Sequence, residues 1–150
     1  MKLFSLTIFL LSICMFHACT QDEACRENTV ALLRAGFHAS ETTKSLTIDS
    51  ITVVGLQNDT LVNNKKNSSK IALPLNNAEE ESIFVLNING VHDTLHVYYT
   101  NADYFISYAC GMTVAHKIDT ITATNHVIKS LKIIHKDINT TDVPHVQILL

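Results

Sequence analysis

The stretch from Ile83 to Tyr99 does most to limit the fold. Ile83–Ile88 is an apolar, β-branched run, Asn89-Gly90 follows, and Asp93–Tyr99 alternates apolar with polar residues. Asn-Gly tolerates the positive φ that two-residue hairpin turns require, so the segment predicts a β-hairpin. In its second arm Leu95, Val97 and Tyr99 point one way while Thr94, His96 and Tyr98 point the other. One of those faces is expected to bury and the other to meet solvent.

The rest of the chain follows the same pattern. Thr, Ile, Val, Leu and Asn dominate, and short apolar or alternating runs recur between turn signals. The expected strands are Thr29–Phe37, Ser45–Leu56, Thr60–Asn63, Lys70–Leu75, Ser82–Asn89, Asp93–Thr100, Tyr104–Cys110, Met112–Ile118, His126–His135 and His145–Leu150. Asn63–Ser69 reads as a polar, flexible loop, and Asn76–Glu81 as a turn region with room for a helical turn. Pro74 cannot donate to a ladder, so its strand should be short or at an edge. Glu27–Ala35 is the one helix candidate, but its length is marginal and a strand is preferred there. About ten short strands argue for an all-β fold, a two-sheet antiparallel β-sandwich of immunoglobulin-like type. The chain has no Trp, so the buried tryptophan of antibody domains is missing. A small barrel is the alternative.

The N-terminus carries a different signal. Lys2 precedes the apolar run Leu3–Phe16, which ends near small Ala18, and residues 1–18 read as a lipoprotein signal peptide. As a helix, Leu3–Ala18 would reach roughly 24 Å, short of the ~30 Å hydrocarbon core, and no basic stop-transfer cluster follows. Phe16-His17-Ala18-Cys19 resembles a lipobox, with Cys19 as the thiol that accepts diacylglycerol; Cys14 is a poorer fit because bulky Ile13 precedes it. Residues 19–26 then form a lipid-anchored acidic tether, and residues 27–150 a single β-sandwich domain. Thr20-Gln21-Asp22-Glu23 resembles the short acidic tag of some Bacteroidota-type lipoproteins exposed on the cell surface, and reads equally as a solvated tether. The expected location is the outer membrane, held by lipid, on its periplasmic face or at the cell surface.

Removing residues 1–18 takes away one lysine and leaves 10 basic against 14 acidic side chains. That balance excludes nucleic acid as a partner and gives no electrostatic grip on anionic lipid. The partners expected are the membrane, through the anchor, and an envelope protein. Of the four cysteines, Cys14 leaves with the signal and Cys19 takes lipid, so Cys25 and Cys110 remain in an oxidising compartment. An even pair there reads as a disulfide. A zinc or redox site is the sharper alternative, but there is no CxxC.

Several short motifs occur in a fixed order: Cys19, Cys25, Asp49-Ser50-Ile51, Ala72–Leu75, Asp93–Thr100, and Ser107-Tyr108-Ala109-Cys110-Gly111. Together they resemble a family of small Bacteroidota-type lipoproteins classed only as a domain of unknown function, with a late S-x-x-CG motif. The resemblance implies a sandwich-like lipoprotein domain and brings no activity with it.

Catalytic and metal chemistry find little support. His92 and His96 would share a helix face, but on a strand they stand about 13 Å apart. His116, His126, His135 and His145 are scattered at expected strand edges and read as solvated. The chain holds no HExxH, no GxSxG elbow and no phosphate-binding glycine loop. No cofactor or metal is implied, and the reading is a non-catalytic binding or assembly module, with a small envelope hydrolase or metal-binding protein as the alternative. Tyr98 and His96, on the less buried face of the hairpin, are the candidate binding surface, because tyrosine joins apolar area to a hydroxyl. Four of the eight Asp residues begin an Asp-Ser/Thr-Leu/Ile triplet. These triplets make Ser50, Thr60, Thr94 and Thr120 candidate O-glycosylation acceptors, against the simpler reading that each Asp caps a turn before a strand.

Overall fold

A computed structural model describes residues 24–55 and 59–150. The described residues form ten strands and no helix: β1 (Leu32–His38), β2 (Ile48–Gly55), β3 (Thr60–Ser68), β4 (Lys70–Pro74), β5 (Glu81–Ile88), β6 (Val91–Ser107), β7 (Gly111–Ala123), β8 (Ser130–Ile133), β9 (Asp137–Ile138) and β10 (Val146–Leu149). A four-stranded sheet, β4-β1-β10-β8, faces a six-stranded sheet, β3-β2-β5-β6-β7-β9. All pairings are antiparallel except that of β1 with β10. The expected β-sandwich is present, divided four and six rather than four and three as in an immunoglobulin constant domain.

Alternation builds the core. Leu33, Ala35 and Phe37 of β1, Ile71 and Leu73 of β4, and Val146 and Ile148 of β10 point inward from the smaller sheet. Ile51, Val53, Phe84, Leu86, Ile88, Leu95, Val97, Tyr99 and Ile118 meet them from the larger one, forming one cluster. The expected hairpin is there: Asn89 and Gly90 have φ of 51° and 89°, and Ile88 pairs with Val91. Asn89 also ties this turn to β2, donating its N–H to the Ser50 carbonyl and accepting the Ser50 N–H on Oδ1. Pro74 lies at the end of β4, an edge strand, as its missing N–H requires.

Four expectations need correction. Asn63–Ser69 is largely strand, not loop: it completes β3 at the edge of the larger sheet. Its polar residues reflect exposure on an edge rather than absence of pairing, and Asn64 takes positive φ where the ladder is irregular. The two expected strands Asp93–Thr100 and Tyr104–Cys110 are one 17-residue strand, β6, because Asn101-Ala102-Asp103 stays paired to β7. Residues 76–80 contain no helical turn. His126–His135 contracts to the four residues of β8, because the segment before it is held by hydrogen bonds to Asp93 instead of pairing as a strand.

That aspartate organises the closed end of the larger sheet. Asp93 is on the inward face of β6 and is buried. Its Oδ1 accepts from the Thr124 hydroxyl at 2.8 Å and the His126 N–H at 2.9 Å, and its Oδ2 from the N–H groups of Val127 at 2.8 Å and Ile128 at 2.9 Å. Burial alone would raise the carboxyl, but the donors from His126, Ile128, Val127 and Thr124 outweigh it and hold the group well below the ordinary carboxylate range. The carboxylate is a built-in cap for the β7–β8 connection.

At the other end β6 and β7 outrun their neighbours. β5 stops opposite Tyr98 and β9 pairs only with His116 and Lys117. Beyond Ala102 and Ala115 the hairpin therefore continues as a two-stranded arm, turning through Tyr108–Cys110 with Gly111 at φ 72°. A lone hairpin is marginal in water. Here it is propped by the segment before β1: Cys25 is disulfide-bonded to Cys110, with Cα atoms 4.7 Å apart, and the Thr113 hydroxyl donates to the Thr29 carbonyl. The disulfide thus joins an exposed segment to a hairpin turn, rather than the first strand to a late one through the core.

Candidate binding surface

The outward face of β6 carries the residues singled out from sequence. Tyr98 is 38% exposed and His96 half-buried, while Leu95, Val97 and Tyr99 on the opposite face are buried. The strand register inferred from alternation is therefore correct. Sequence reading overlooked the third member, Glu81. It sits directly across the ladder from Tyr98, and its Oε1 lies 3.0 Å from His96 Nδ1. The Asn-Gly turn could have revealed it, since a two-residue loop fixes every cross-strand partner of β5 and β6. The bond from His96, then that from the Tyr98 hydroxyl, holds the Glu81 carboxyl below its ordinary value, and the same contact raises the Tyr98 phenol. The His96 and Tyr98 rings stack with centroids 6.3 Å apart. An imidazole, a phenol and a carboxylate are thereby fixed in orientation on an open sheet face.

A cleft of about 500 Å³ adjoins this face and shares Glu81 with it. Its walls include Leu61 of β3, Pro74 of β4, Asn76 and Asn77 of the β4–β5 connection, and Ile83 of β5. Its volume lies in the range of small-molecule sites. The floor is rigid because a buried polar cluster holds the β4–β5 connection in place. The Tyr99 hydroxyl is 2.7 Å from Ser82 Oγ, accepts the Asn76 N–H at 2.9 Å and donates to the Asn76 carbonyl at 3.0 Å. Asn101 Nδ2 donates to the carbonyls of Asn77 and Glu79, and its Oδ1 is 2.7 Å from His116 Nδ1. With the amide nitrogen committed to carbonyls, Oδ1 accepts, so His116 carries its proton on Nδ1.

His116 and His145 are buried, not solvated as expected. His116 stands edge-on to the Tyr99 ring inside the fold, and burial pulls its pKa down. His145 Nδ1 accepts the Arg34 N–H at 3.0 Å, so its proton is on Nε2, which has no partner among the described residues. Burial, then repulsion from Arg34 and His135, pushes His145 down to about 4 against an opposing pull from the Asp137 backbone. Both rings are neutral packing elements. His116 shares the inward parity of Ile118 in β7, whereas His145 lies just before β10 and is enclosed through its bonds to the Arg34 backbone. Among the described residues, no three His, Cys, Asp or Glu side chains converge as metal ligands.

The remaining sequence candidates are spread out. Asp59, Thr60, Asp119 and Thr120 are exposed, with Asp119 at a bulge in β7. Ser50 is half-buried beside the Asn89 turn; Thr94 is half-buried next to the enclosed Asp93 and bonded through its N–H to Thr124. The lipidation candidate Cys19 and the signal segment 1–18 lie outside the described residues. Among the described residues, no helix is long and apolar enough to cross a membrane.

Residues 50–150 match a family of unknown function, DUF6452. The chain belongs to the DUF6452 family. The matched span starts within β2 and takes in the hairpin, the candidate surface and Cys110, while Cys25 precedes it. Neither a curated protein nor a solved structure matches this DUF6452 chain.

Proposed function

We propose that this DUF6452 protein is an exported lipoprotein, anchored through Cys19 at a bacterial outer membrane, whose sandwich is a non-catalytic binding or assembly module. The observation that carries the binding role is the oriented Glu81–His96–Tyr98 group on an open sheet face beside the 500 Å³ cleft. An exposed tyrosine locked by its neighbours loses little further entropy on contact and supplies both apolar area and a hydroxyl. Export is supported by the signal-like residues 1–18 and by the Cys25–Cys110 pair, since disulfides persist in oxidising compartments. Thr60 and Thr120, each after an exposed aspartate, are the better placed acceptors if the exported protein is O-glycosylated.

Two measurements test the proposal. Cys19→Ala should abolish acyl labelling and membrane recovery; unchanged labelling would refute the anchor. Crosslinking in intact envelopes should recover a partner with the wild-type chain and less of it with Tyr98→Ala. Equal recovery by the two would remove the surface from consideration.

A further inference from the structure

The β6–β7 arm ends in an apolar tip that the interior does not use. Phe105 is 50% exposed, Met112 58% and Tyr108 fully exposed. Phe105 and Met112 are cross-strand partners, and the Tyr108 ring packs edge-on to Phe105 with centroids 5.4 Å apart, so the three form one patch. From Tyr104 to His116 the sequence contains no Asp, Glu, Lys or Arg. Such a tip is costly to present to water and suited to the boundary between lipid headgroups and acyl chains, where tyrosine rings concentrate.

The covalent structure ties it close to Cys19. Cys110, two residues from Tyr108, is bonded to Cys25, and five residues separate Cys25 from Cys19. At no more than about 3.6 Å per residue, plus the disulfide span, Cys110 can stand at most about 26 Å from Cys19. We infer that the tip formed by Phe105, Tyr108 and Met112 seats in the interface of the membrane that holds the lipid, making a second contact that fixes the orientation of the sandwich. The inference rests on lipidation of Cys19. A single acyl-type anchor leaves a domain free to tumble; a second, apolar contact beside it would hold the Glu81–His96–Tyr98 face at a set angle to the surface.

The absence of Trp from the chain provides the test. Full-length lipidated protein carrying Tyr108→Trp would be reconstituted into phosphatidylethanolamine–phosphatidylglycerol vesicles with brominated acyl chains. Phe105→Trp serves as a second probe. Val91→Trp, at the other end of β6 and up to about 50 Å away along the strand, is the control. Because interfacial Trp sits at headgroup level, emission from both tip probes should shift to the blue and fall at least about twofold relative to unbrominated vesicles, with the control unchanged. Protein that stays on the vesicles while its tip probes emit like the control would overturn the inference and leave the anchor intact. Protein that never associates with the vesicles would overturn both.

Discussion

Replacing Asp93 with alanine should cost more than any change at the candidate surface. The side chain is enclosed and accepts four short bonds, two of them from the N–H groups of Val127 and Ile128. Alanine leaves those two donors facing a cavity, at about 1–3 kcal/mol each, while Thr124 and His126, which are exposed, can turn to water. Releasing the carboxylate from its buried site offsets part of the loss. The net expectation is about 3–5 kcal/mol, the usual cost of breaking a buried charged pairing from one side. For a domain of this size that is roughly 10–20 °C in melting temperature. Urea denaturation at pH 7 measures it, with an unchanged slope showing that the transition stays two-state. The pH dependence supplies a second check. Because the folded pKa is depressed, the stabilisation is complete above the ordinary value of 3.8 and disappears as pH falls through and below it. Wild-type stability should therefore fall more steeply than that of Asp93→Ala in that acid range. A variant within about 1 kcal/mol of wild type would show that the four bonds are replaceable by water and that Asp93 is not the cap described here.

Tyr99→Phe should destabilise by about 1–3 kcal/mol, because Ser82 and the Asn76 backbone lose their buried partner, and thermal unfolding would read it. Tyr98→Ala should stay within about 0.5 kcal/mol of wild type; if it unfolds the domain, the outward assignment of Tyr98 is wrong. His145 is held neutral with a pKa of about 4 against 6.5 in the unfolded chain, so stability should drop by about 3 kcal/mol as pH falls from 6.5 to 4, and His145→Gln should flatten that window. Replacing both Cys25 and Cys110 with serine opens a loop with a sequence separation of 85, worth about 4–5 kcal/mol in the chain-entropy model, and should expose the β6–β7 arm to protease first. Alkylation of either cysteine in unreduced, exported protein would refute the staple.

The parts of the fold that sequence displays are those where a local rule acts without competition. Asn89-Gly90 forces a turn, and alternation from Leu95 to Tyr99 assigns each side chain its face; together they give both the hairpin and the outward Tyr98. Asn63–Ser69 escaped because an edge strand with both faces wet has no apolar residues to alternate, so its pattern matches a loop. β6 read as two strands because Asn101-Ala102-Asp103 is polar where the arm leaves the core, although its ladder to β7 is unbroken there. Asp93 was visible only as the first residue of a candidate glycosylation triplet; alternation with Leu95 turns it inward, but the donors that satisfy its carboxylate lie more than thirty residues away, which no local pattern encodes.

The Ser107–Gly111 stretch has a structural role in the turn. Ser107 Oγ accepts the Cys110 N–H and closes the turn, Cys110 holds the bond to Cys25, and Gly111 takes the positive φ that starts the return strand. Ser107, Cys110 and Gly111 thus each help fold the tip of an arm that is two-stranded among the described residues. Tyr108 and Ala109, between Ser107 and Cys110, are exposed. A turn built so firmly at the end of an otherwise marginal hairpin implies that the position of its exposed residues matters, and Tyr108 is the largest of them. That is the physical reason to look for the partner of the arm at its tip, and for the partner of the sheet at Glu81, His96 and Tyr98.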